Sequence, residues 1–282
     1  MANPVCLSPL KFYDDYRKQN RYKSFAYGHV APLITVCNTI SPFQLLVSGK
    51  ASEVYVRSAN TNERITDNVL ARFKSAGLED VEVDGYKVLL FRGIFPLEDI
   101  LAFEGRYWLE IKAGDWYYSE VFCYTNTDAG LISIDYWNDE GDFRLKNGVV
   151  TFTSNFRFKL WLNTELGKPE YSFEEEATKR LGYSFIESQV SKKTYKFNTV
   201  VPEYICDAMR IIRLCSNKQI TCNGEVYDAI TFNMDVDWQD QGDLASVNCD
   251  FDVDNIIVNL GGFKHEPLGG DFNEDFNADF ST

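Results

Sequence analysis

The sequence predicts a mainly β protein of two β-sandwich-like modules, the second with one packed α-helix, plus extended N- and C-terminal arms. Three observations predict this class. Short apolar segments alternate with polar residues at a period of two, and strong turn residues separate them. Only one well-marked helical stripe interrupts that rhythm. Aromatic side chains make up 15% of the chain, with 16 Tyr and 21 Phe, and rings pack well across a pleated surface.

Residues 1–28 read as an N-terminal arm. Its stretch "KFYDDYRKQNRYKSFAYG" is the most basic part of the chain. Tyr13, Tyr16, Arg17, Arg21, Tyr22 and Phe25 are its candidate interface residues, offering rings as anchors and positive charge for steering. The same block equally suits a terminus that covers the first domain. Residues 29–125 form the first sandwich. "FQLLVS" is apolar, "SEVYVRSA" alternates, and "NTNERITDN" is polar and turn-like. "VEVDGYKVLLFRG" gives two strands around Asp84-Gly85, a pair that favours a tight hairpin turn. "GRYWLEIKAGDWYYSEVFCY" gives two more around Ala113-Gly114-Asp115. "DNVLARFKSAG", closed by Gly77, is a weak helix candidate or part of a structured loop.

A polar stretch near 125–130 marks the expected boundary, and residues 130–262 form the second, mainly β domain. "LISIDYW" is a strand, and Phe156, Phe158, Leu160 and Leu162 stay in phase along the next one. Glu174–Arg180 reads as one helical turn or a charged loop, after which "KTYKFNTV" alternates. The segment 202–215, "PEYICDAMRIIRLC", carries Ile205, Ala208, Met209 and Ile212 on a 3.6-residue period behind Pro202 and Glu203. Asp207 and Arg210 sit three apart and can pair. On such a helix Cys206 and Cys215 point apart, which excludes a shared metal or a disulfide between them. Asn223-Gly224 marks a hairpin. Ala245, Val247, Cys249, Phe251 and Val253 share one face of another strand. Residues 263–282 form an acidic, aromatic tail in which Phe272, Phe276 and Phe280 recur every four residues. These three are the tail's candidate interface residues.

The net charge of −14 disfavours nucleic acid and anionic membrane as partners, since both repel an acidic chain. Seven cysteines without a CxxC pair, and a start that turns polar too soon for a secretion leader, point to a reduced cytosolic environment. No phosphate loop, dinucleotide fingerprint or metalloprotease pattern occurs. His29 and His265 are the only histidines and neither sits in a nucleophile motif. Asp235, Asp237, Asp240 and Asp243 lack the order of a calcium loop; the first two fill outward positions of an alternating strand. The expectation is a protein without catalytic residues, metal or cofactor.

The blocks "GRYWLEIKAGDWYYSEVFCY", "FRFKLWLNTELGKPEYSFEEEATKRLGYSFIESQVSKKTYKF", "PEYICDAMRIIRLC" and "WQDQGDLASVNCDFDVD" resemble uncharacterised proteins of phages and prophages of gut Bacteroidales. The resemblance covers roughly residues 100–260. It implies a virion structural protein of the tail or baseplate region, assembled in the host bacterial cytoplasm. Its partners would be other virion proteins and copies of itself in a homo-oligomeric ring. The basic 11–28 block and the acidic 271–282 tail would then be able to meet between neighbouring copies. A carbohydrate- or receptor-binding sandwich is the alternative, with Trp108, Trp116, Tyr118 and Trp137 as candidate glycan contacts.

Overall fold

A computed structural model describes residues 8–19, 34–83, 85–93, 95–139, 143–144, 151–152, 156–180, 183–238, 244–253 and 257–260. In chain order come strands β1 (Phe12–Tyr13), β2 (Ile34–Cys37), β3 (Thr39–Ile40), β4 (Phe43–Leu46) and β5 (Ala51–Ser58). Helix α1 (Leu70–Ser75) precedes β6 (Leu78–Val83), β7 (Tyr86–Phe91), β8 (Phe95–Pro96), β9 (Gly105–Ala113) and β10 (Asp115–Ser119). Next are β11 (Phe122–Thr125), β12 (Leu131–Trp137), β13 (Phe143–Arg144), β14 (Thr151–Phe152) and β15 (Phe158–Asn163). The long strands β16 (Glu170–Arg180) and β17 (Tyr183–Pro202) lead to helix α2 (Glu203–Ile212). The chain closes with β18 (Asn217–Cys222), β19 (Glu225–Asp228), β20 (Asn233–Trp238), β21 (Leu244–Asp252) and β22 (Ile257–Leu260). The fold is thus dominated by β-strands, as the alternation predicts.

The chain divides into two compact units: residues 1–170 with 194–254, and residues 171–193 with 255–282. Unit 1 holds a large sheet in the order β1-β10-β9-β11-β2-β15-β12-β18-β19, with β5 added on β9. Strands from both sides of the polar 125–130 stretch belong to this one sheet. That stretch is a hydrogen-bonded turn, with Leu131 N–H on the Asp128 carbonyl and Gly130 at φ +73°. Glu104 takes the Thr125 hydroxyl and the Asn126 N–H at its outer side.

Alternation decides which face is buried. Leu109, Ile111 and Ala113 of β9 and Val54 and Val56 of β5 enter the core, while Trp108, Glu110 and Lys112 point the other way. The sheet β4-β7-β6 feeds Phe43, Leu45, Leu89 and Phe91 into the same core, and α1 adds Phe73. Phe73 stacks on Phe95 with ring centroids 4.1 Å apart and meets Phe91 at 5.5 Å. Helix α1 forms where the sequence allows a helix or a loop, and Gly77 (φ +100°) ends it in the left-handed region. Strands β6 and β7 form the expected hairpin, with Val83 opposite Tyr86 and Asp84 outside the described residues, and the hairpin at Asn223-Gly224 also forms. Asn223 (φ 51°) and Gly224 (φ 80°) both have the positive φ a two-residue turn needs.

Helix α2 buries Ile205, Ala208, Met209 and Ile212 as its stripe predicts, along with Tyr204, Cys206 and Ile211. It starts at Glu203, with Pro202 at the N-cap, and ends at Ile212, short of Cys215. Asp207 and Arg210 pair at 3.5 Å. Strand β21 buries Ala245, Val247, Cys249, Phe251 and Val253 beyond its end, again by alternation. Residues 8–19, expected as part of an arm, are bonded inside unit 1. Phe12 pairs with Ser119 and Tyr13 with Tyr118, Gln19 donates to the Ser119 carbonyl at 2.6 Å, and Leu10 and Phe12 are buried.

Residues 174–180 are neither helix nor loop. They continue β16, which pairs with β17. The three consecutive glutamates hide the strand period in the sequence, but each finds a donor on β17. Lys192 meets Glu174 at 2.5 Å, Gln189 meets Glu175 at 2.8 Å and Ser188 meets Glu176 at 3.2 Å. Cross-strand pairs of this kind favour the strand over a helix. In unit 2, β22 pairs antiparallel with β17, setting Ser188 against Leu260 and Ser191 against Ile257.

Candidate functional site

Two surfaces concentrate candidate functional side chains. The first is the outer face of β5, β9 and β10. Glu53, Tyr55 and Arg57 of β5 lie across from Lys112, Glu110 and Trp108 of β9, and Trp116 and Tyr118 of β10 lie across from Lys112 and Glu110. Glu110 is buried and accepts from Arg57 at 2.9 Å and Arg64 at 2.7 Å. One carboxylate thereby holds together two guanidiniums whose residues also form a β-bridge. The Arg64 guanidinium lies 3.8 Å from the Tyr55 ring centre and 5.0 Å from that of Trp116, with the Lys112 ammonium 5.3 Å from the latter. Lys112 also bonds Glu53 at 3.0 Å. That bond, followed by the one from Tyr55, holds the Glu53 carboxyl below its ordinary pKa.

This arrangement separates the four glycan candidates. Trp108 is 1% exposed, so it is not a surface platform. Tyr16 stacks over it at 6.4 Å and Arg57 lies 5.4 Å from its ring centre. Trp116 and Tyr118 are half-buried and remain at the surface. Trp137 belongs elsewhere: β12 stands four strands from β9, about 19 Å at the usual inter-strand spacing. Its ring is covered by Arg157 at 4.1 Å and its indole N–H donates to Asp139 at 3.1 Å.

Among the N-terminal candidates, Tyr13 is buried and donates its hydroxyl to the buried Glu120 carboxylate at 2.8 Å. Burial, then the Glu120 charge, raises the Tyr13 pKa far above its usual value. Tyr16 meets Trp108 and, edge-on, Tyr118 at 5.8 Å; Arg17 bonds Asp15 at 2.7 Å. Arg21, Tyr22, Phe25, Phe272, Phe276 and Phe280 lie outside the described residues, as do His29, His265, Asp240 and Asp243. Asp235 and Asp237 face outward on β20. Among the described residues, no three His, Cys, Asp or Glu side chains converge as a metal site. Cys206 and Cys215 are free, and burial pushes their thiols up to about 11 and about 12.

A groove of about 340 Å³ in unit 1 is lined by Ile34, Thr35, Trp161, Asn198, Val201 and Ile205, among others. None of its lining residues is titratable, so it offers shape and hydrogen bonds rather than an acid or a base.

The second surface is β16, which sequence reasoning missed. From Tyr171 to Ala177 every residue is exposed, so both faces of the strand are open. Tyr171 and Phe173 are 63% and 73% exposed. Alternation puts them on one face with Glu175, while Ser172, Glu174 and Glu176 share the other. β16 ends its sheet, and among the described residues no strand pairs with its second edge. The Tyr-x-Phe step before the glutamates is the one signal in the sequence that could have exposed this strand.

No protein-family model and no curated protein matches the chain.

Proposed function

We propose that this protein is a non-enzymatic structural component of a phage virion, of the tail or baseplate region. It assembles with other virion proteins and with copies of itself through its β-domains and terminal arms. The observation that carries this reading is β16: an edge strand open on both faces, presenting Tyr171 and Phe173 to solvent. A large ring exposed beside free backbone hydrogen-bonding groups is a liability in an isolated chain and a ready contact in an assembly. The sequence resemblance to phage proteins supports the same reading. Mass photometry and negative-stain imaging of the purified chain test it. A closed ring of six or twelve copies is expected; a clean monomer at micromolar concentration, together with a glycan ligand, overturns it.

A second reading, binding of a carbohydrate or host receptor, draws on Trp116 and Tyr118 beside Tyr55 on the outer sheet face. Binding on a glycan array that Trp116→Ala abolishes would favour it over assembly.

A further inference from the structure

We propose that the free edge of β16 receives a cationic β-strand from a different protein, adding it as the next strand of the sheet. The inference rests on the assembly reading and names the chemistry of the partner. An edge strand offers a row of backbone donors and acceptors to any extended segment, so side chains decide which segment fits.

Two copies of β16 do not fit each other. The strand spans residues 170–180, so antiparallel self-pairing about its midpoint sets Glu175 against Glu175 and Glu174 against Glu176. Like charges directly opposite in a ladder are destabilising. A strand with lysine or arginine at alternate positions meets the opposite situation. In antiparallel register its basic residues lie across from Glu176 and Glu174 on one face. On the other face, its apolar residues lie across from Phe173 and Tyr171. Among the described residues, Glu175 and Glu176 accept from neutral donors of β17, Gln189 and Ser188, and those contacts do not offset their negative charge. Glu174 shares its charge with Lys192. The strand thus carries both a reason to refuse its own copy and a reason to accept a basic one.

The test measures fluorescence anisotropy of a dye-labelled ten-residue peptide alternating lysine with valine, titrated with the full chain. Comparison peptides have the same composition with the lysines in one block, or the alternating sequence with every second residue N-methylated. The alternating peptide is expected to bind at least tenfold tighter than either. Rising salt should weaken it as surface charge is screened. The double variant Glu174→Gln with Glu176→Lys should lose at least tenfold in affinity while keeping the parent circular dichroism. Phe173→Ser, which leaves all charges in place, should also weaken binding. Equal binding of the blocked peptide, or full affinity in the double variant, would overturn the proposal. So would self-association of the chain that the alternating peptide competes away, because the occupant would then be a second copy. Ring formation without peptide binding would remove the strand-addition proposal and leave the assembly reading standing.

Discussion

Phenylalanine shows how differently the two regions of this chain are built. In unit 1, Phe43, Phe73 and Phe91 have no exposed surface, and each touches another ring within 5.5 Å. On β16, Phe173 lies mostly in solvent beside an exposed Tyr171. Unit 1 places its aromatic rings where burial stabilises the fold. The β16 hairpin holds its form through a cross-strand ladder of Glu174, Glu175 and Glu176 with Lys192, Gln189 and Ser188, and leaves its rings outward. One aromatic-rich composition therefore supplies both buried core and exposed surface.

The contrast predicts a graded set of responses. Phe73→Ala should be the most damaging change, costing about 3–5 kcal/mol in denaturant unfolding, because it empties a ring site packed by Phe91 and Phe95. A loss below 1 kcal/mol would mean that this core collapses freely. Tyr13→Phe should cost about 1.5–3 kcal/mol, the usual value of a hydrogen bond to a charged group, since it removes the hydroxyl that meets Glu120. It should also speed hydrogen exchange in β1 and β10.

The buried thiols sharpen the comparison through pH. Cys215 is held near 12 and Cys206 near 11 by burial, against an ordinary value of 9.0. Between the two values the folded chain keeps protons that the unfolded chain has released. This contribution to stability is whole below pH 9 and declines as pH rises through 11 and 12. Denaturation midpoints should fall across that window, and iodoacetamide at pH 8 should label both residues far more slowly in the native chain than in denaturant. At the small end, Phe173→Ser should change stability by less than about 0.5 kcal/mol, as an exposed position does. Its effect should appear in association instead, as weaker binding of the cationic partner strand.

The parts legible in the sequence are the local ones. Asp84-Gly85 and Asn223-Gly224 announce their hairpins because the turn chemistry lies in adjacent residues, and Ile205–Ile212 announces its helix by spacing alone. What stayed hidden depends on distant partners. Tyr13 and Glu120 are 107 residues apart, and no local pattern tells that one will satisfy the other. The parallel pairing of β2 with β11, which joins strands from either end of the first half, carries no turn signal at all. Trp108 alternates like a surface residue, yet Tyr16 closes over it. β16 was masked because three glutamates in a row break the period-two pattern that its pairing with β17 restores.

Hydrogen exchange over residues 170–180 tests the account most directly, read by mass spectrometry in the dilute purified chain and in the assembled particle. The prediction is rapid exchange of the edge-facing amides of β16 in the free chain and at least tenfold slowing on assembly, while β9 and β12 stay protected in both. Unchanged, rapid exchange of β16 in the particle would contradict it.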